Sequence, residues 1–93
     1  MSVVRIARLY RVRGRVQGVG FRYFVEQSAT QLGLTGWVRN LDDGDVEVYA
    51  AGTGEQLSEL AGLLRKGPRW AEVRSVDEIE ASLERHPGFA VRP

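Results

Sequence analysis

The sequence contains no cysteine, which removes disulfides, thiol nucleophiles and cysteine-based zinc sites at once. It lacks any apolar run long enough for a membrane span. Its start, Ser2 to Arg5, has none of the hydrophobic stretch a signal peptide requires, and the expected location is the cytoplasm, with no membrane partner. Histidine occurs once, at His86, and proline three times. Acidic residues are missing from the whole first quarter: the first is Glu26, whereas Arg5, Arg8, Arg11, Arg13, Arg15 and Arg22 all come before it. No large excess of either sign accompanies this skew, because 13 basic and 12 acidic side chains leave a formal charge of +1. That balance argues against a dedicated nucleic-acid binder. It still allows a locally electropositive segment that attracts a small anion, or a strand face whose arginines are balanced by acids folded against it.

What is present fits one α+β domain spanning residues 1–93, expected as a monomer. A chain of 93 residues buries roughly 60 to 65% of its unfolded surface, so a single core must recruit most of the apolar side chains. Ile6 to Arg13 reads as a first strand, with Ile6, Tyr10 and Val12 on one parity; Arg8 falls on that same parity and breaks the alternation. Phe21, Phe24, Val25, Ser28, Ala29 and Leu32 then follow the spacing of an amphipathic helix, stopped by Gly33. Thr35 to Asn40 and Val46 to Ala51 are two further strands, joined by the turn residues Asp42, Asp43 and Gly44.

Thr53 and Gln56 form a capping box ahead of the stripe Leu57, Leu60, Ala61 and Leu64, and this second helix ends at Gly67 and Pro68. Glu72 to Glu80 gives a fourth strand, and Phe89 to Arg92 a short terminal one. The order βαββαβ predicts a ferredoxin-like two-layer sandwich, an antiparallel sheet with two helices on one face and the other face open to water. The first and second strands run parallel, so their ends emerge at one sheet edge.

At that edge stand Gly14 to Arg22, with three glycines in seven residues. Glycine lets the backbone curl until successive N–H groups converge, and a nest running into a helix N-terminus suits phosphate. Arg22 adds a guanidinium fork matched to phosphate oxygens. The loop lacks the Gly-Lys-Ser/Thr ending of a Walker loop, and no continuing parallel sheet follows it as a dinucleotide site demands. Taken alone, such a turn is more often just a tight connection.

Within Val12 to Arg22, the residues Gly14, Val16, Gln17, Gly18, Val19, Phe21 and Arg22 resemble the first signature of the acylphosphatases. Gly36, Trp37, Val38, Arg39 and Asn40, followed by Gly44, Val46 and Gly52, resemble the second. The resemblance implies a hydrolase that cleaves the carboxyl-phosphate bond of a small acyl phosphate without metal or cofactor. In it, Arg22 would hold the phosphate and Asn40 would orient the attacking water. The amides of Gln17, Gly18, Val19, Gly20 and Phe21 would complete the cradle. The chemistry agrees, since the leaving carboxylate is stable near neutral pH and needs no general acid.

Remaining candidates carry less. His86, before Pro87, is expected to face solvent without partners. Asp42, Asp43 and Asp45 surround a hairpin glycine as turn formers, and their spacing does not match a calcium loop. Trp37 and Trp70 are expected to pack or cover an edge, with Trp37 also placed to line an acyl pocket. Two alternatives keep the fold. One is a non-catalytic module binding phosphate or carbamoyl phosphate. The other is a single-stranded RNA-binding domain, although the third strand offers only Tyr49 for base stacking.

Overall fold

The computed structural model describes residues 4–93. Among them, seven elements follow in chain order: β1 (Ile6–Arg15), α1 (Phe21–Gln31), β2 (Thr35–Asn40), β3 (Val46–Gly52), α2 (Gly54–Lys66), β4 (Glu72–Ala81) and β5 (Phe89–Val91). The strands form one sheet in the order β4-β1-β3-β2-β5. The first four pair antiparallel, as the element order predicts, whereas β5 lies parallel to β2, so the complete sheet is mixed.

Period-two alternation sorts each strand between two layers. Tyr10 and Val12 of β1, Val38 of β2 and Val46, Val48 and Ala50 of β3 point toward the helices. There they meet Phe21, Val25 and Ala29 of α1 and Leu57, Leu60, Ala61 and Leu64 of α2. Tyr10 is wholly buried, and its hydroxyl donates to the Leu57 carbonyl at 3.1 Å. Burial pushes its pKa up to about 12, because the phenolate would be stranded away from water.

Arg8, which breaks the alternation, sits on the same side near Tyr10 at the layer's periphery. Its guanidinium pairs with Glu78 at 3.6 Å, and Glu78 in turn lies 4.0 Å from Arg65 of α2. An arginine is tolerated there because its stem covers apolar surface while its head reaches an acid.

Both helices begin and end as their sequences dictate. Thr53 accepts from the Gln56 N–H at 3.1 Å, and the Gln56 side chain accepts from the Thr53 N–H at 2.9 Å, completing the capping box of α2. Helix α1 has no such side-chain cap and no acid in its first turn; its N-cap is Gly20, in the left-handed conformation. Close backbone approach explains Gly36 of β2, where φ is +143° and a Cβ would come within 1.9 Å of the Tyr49 carbonyl oxygen. Any side chain there would push β2 away from β3, so Gly36 fixes the spacing of the strand that ends at Asn40.

The second sheet face is only partly open to water. Ala7, Trp37, Tyr49 and Ala51 form a small cluster on it, and the segment after β4 crosses over it. The Tyr49 hydroxyl donates to the Ser82 carbonyl at 2.6 Å and accepts from the Glu84 N–H at 2.7 Å. Three arginines of this face meet acids. Arg11 pairs with Asp43 and with Asp45 at 2.7 Å, Arg13 pairs with Asp77, and Arg39 pairs with Glu47 at 2.7 Å. Of the two readings of the arginine-rich first strand, the balanced face describes Arg11 and Arg13. No helix among the described residues is long and apolar enough to cross a membrane.

Candidate functional site

Where β1 gives way to α1, the chain turns through Val16 to Gly20. Gly18 and Gly20 have φ of +73° and +77°, while no residue other than glycine among the described residues has positive φ. The backbone therefore alternates in sign along the turn, the pattern that points successive N–H groups toward a common side. None of the N–H groups from Gln17 to Phe21 donates to a backbone carbonyl among the described residues. The positive end of the α1 dipole lies at the same place.

Arg22 follows in the first turn of α1. It is half-buried, and Nη1 of its guanidinium donates to the Arg92 carbonyl at 2.9 Å, just beyond β5. Asn40, the last residue of β2, comes from the other side. A cleft of about 360 Å³ is lined by Gly18, Gly20, Phe21, Arg22 and Asn40, together with Val16, Tyr23 and Val91. The Asn40 Oδ1 atom is shielded from solvent and has no hydrogen-bond partner among the described residues. The backbone that carries this carboxamide runs from the end of β2 directly into the β2–β3 turn.

That backbone is braced by Gln17. Its side-chain amide gives one hydrogen to the Leu41 carbonyl at 2.8 Å and the other to the Asp45 carbonyl at 2.9 Å. These are the carbonyls that close the β2–β3 turn, since Leu41 N–H donates to Asp45 and Gly44 N–H to Leu41. The acids of this turn are engaged as well. Asp43 accepts from the Asp45 N–H at 3.0 Å and pairs with Arg11, and these two contacts hold its carboxyl below the usual range. Val19, between the two glycines, packs against the core rather than into the cleft.

Comparison with known proteins is decisive. The acylphosphatase family profile matches residues 8–91. The Acylphosphatase of Solibacter usitatus is 58% identical over 86 residues, which is 92% of this chain and 90% of that protein. This chain belongs to the acylphosphatase family. Solved acylphosphatase structures agree. That from Bacillus subtilis superposes with a TM-score of 0.92 at 39% identity, covering 95% of this chain and 99% of its own. That from Coxiella burnetii gives 0.91 at 41% identity, covering 95% and 93%. Acylphosphatases are hydrolases of acyl phosphates, and this assignment is favoured over the binding-module and RNA-binding alternatives.

Of the residues that resemble the acylphosphatase signatures, Val16, Gly18, Phe21, Arg22 and Asn40 meet at the cleft together with Gly20, while Gln17 and Val19 border it with side chains directed elsewhere. Trp37 corrects the expectation that it lines an acyl pocket. It lies on the opposite sheet face, stacked on Tyr49 with ring centroids 5.8 Å apart, and the Arg92 guanidinium sits 4.6 Å from its ring centre. His86 also differs from expectation. It is half-buried, 2.9 Å from the Glu84 carboxylate and edge-on to Tyr49. Trp70 packs little: it is 72% exposed, with Arg69 over its ring.

Nothing in the sequence pattern marks Val91 as a cleft residue or the Arg92 carbonyl as the partner of Arg22. Three residues of strand carry little pattern, and only pairing with β2 brings them there. No group of three or more metal-ligating side chains is assembled among the described residues.

Proposed function

We propose that the cleft between the Gln17–Phe21 loop and Asn40 binds the phosphoryl group of an acyl phosphate and hydrolyses it without a metal ion. The observation that carries this reading is the meeting, in one cleft, of Arg22, the glycine turn and Asn40. The phosphoryl oxygens would accept from the amides of Gln17, Gly18, Val19, Gly20 and Phe21 and from the Arg22 guanidinium, where donors on both sides spread the charge. A water held by the Asn40 carboxamide would attack phosphorus in line with the departing acyl oxygen. The phosphorus–oxygen bond to the acyl group breaks and its electron pair leaves on the carboxylate.

A neutral amide cannot take the proton, so the proton passes from the water to a phosphoryl oxygen. The products are a carboxylate and inorganic phosphate. No side chain needs to protonate the leaving group, so positioning and electrostatic stabilisation suffice.

The test is hydrolysis of benzoyl phosphate with and without a chelator. Turnover is expected to be the same in both, and its abolition by chelator would refute the metal-independent mechanism. A second measurement concerns Gln17, whose side chain we assign to holding the Asn40 turn. Replacement by Met keeps the length and removes both donated hydrogens. Gln17→Met is expected to lower kcat roughly tenfold, the scale of about 1.4 kcal/mol, with the inhibition constant of inorganic phosphate little changed. In an Asn40→Ala background the same change should have little further effect on kcat. Independent, additive losses would mean that Gln17 does not act through Asn40.

A further inference from the structure

The phosphate-facing groups account for part of the cleft. The rest of its lining among the described residues is Val16, Tyr23 and Val91, with no carboxylate and no cation besides Arg22. Val16 is buried, but Tyr23 is 65% exposed and Val91 40% exposed. These two come from the first turn of α1 and from β5, and both reach the cleft that Arg22 lines. An exposed tyrosine and valine on the rim of a polar cleft offer ring and methyl surface that a bound ligand can cover.

Two cations that adjoin cleft residues in sequence are committed elsewhere. The Arg92 guanidinium sits over Trp37 on the far face of the sheet, and Arg39 is held by Glu47 at 2.7 Å.

We propose that Tyr23 and Val91 form the acyl-end subsite, and that it takes uncharged apolar acyl groups, aromatic ones best. This rests on the reading that Arg22 and the loop amides hold the phosphate. A substrate anchored there extends its acyl group past the turn of α1 that carries Arg22 and Tyr23, where the lining offers apolar contact. A second anionic group on the acyl end would meet no cation of its own among the described residues lining the cleft. It would therefore lose hydration without compensation.

The test compares kcat/KM for benzoyl, acetyl and succinyl phosphate in the unmodified protein, Tyr23→Ala and Tyr23→Phe, with inorganic phosphate as competitive inhibitor of each. The unmodified protein is expected to favour benzoyl over acetyl phosphate and to disfavour succinyl phosphate. Tyr23→Ala should cut the benzoyl-to-acetyl ratio about tenfold, mainly through the KM of benzoyl phosphate. Tyr23→Phe should keep the ratio, because the ring and not the hydroxyl makes the contact. The phosphate inhibition constant should stay the same in all three proteins.

An unchanged ratio in Tyr23→Ala, or a preference for succinyl phosphate, would overturn the subsite while phosphate still competes. If phosphate fails to compete at all, the phosphate site itself is wrong and the subsite falls with it.

Discussion

Arg22→Ala is expected to reduce kcat/KM by about 10² to 10³, a loss of roughly 3 to 4 kcal/mol in transition-state binding. Arg22 is the one cation lining the cleft among the described residues, and its half-buried position keeps its charge less screened than those of the exposed arginines. Both KM and the inhibition constant of inorganic phosphate should rise, since the guanidinium would grip ground state and transition state alike. Arg22→Lys should recover only part of the loss. An ammonium restores the charge but lacks the planar fork that donates to the Arg92 carbonyl while presenting further N–H groups to the ligand. Steady-state kinetics with phosphate inhibition reads all of this. Near-native kcat/KM in Arg22→Ala, with the fold intact by circular dichroism, would remove Arg22 from the mechanism.

Asn40→Ala should lose as much rate by a different route. Removing the carboxamide leaves the phosphate donors in place, so the inhibition constant of phosphate is expected to change by less than about twofold, while kcat falls by about 10² to 10³. The split follows from location. Asn40 enters from the end of β2, whereas the amides and Arg22 belong to the loop and α1. The fold should tolerate the change, because the Asn40 Oδ1 atom has no hydrogen-bond partner to lose among the described residues. A parallel rise in the phosphate inhibition constant would instead make Asn40 a binding group.

Much of this arrangement was legible in the residues. The stripe from Phe21 to Leu32 and the capping box at Thr53 and Gln56 announce their helices through local physics, and α1 and α2 follow them closely. Gly18, Gly20 and Arg22 mark a turn with left-handed positions running into a helix. Other features depend on distant partners. Nothing in Phe89 to Val91 says that it pairs parallel to β2, and nothing in the polar stretch Ser82 to His86 says that it crosses the sheet over Tyr49. Arg8 is accounted for only once Glu78 is beside it.

Trp37 is a different case, because the signal was present. Val38 points into the helical layer, so alternation alone puts Trp37 on the reverse side of β2 from Asn40.

The carbonyl of Arg92 on the Arg22 guanidinium ties the end of one chain region to the beginning of another, across 70 positions of sequence. With Arg22 in its proposed role, catalytic competence is a property of the finished topology. An assembly intermediate that had collapsed around the helices and the inner strands, but had not yet docked its outermost ribbon, would hold native-like secondary structure and a poorly aligned grip.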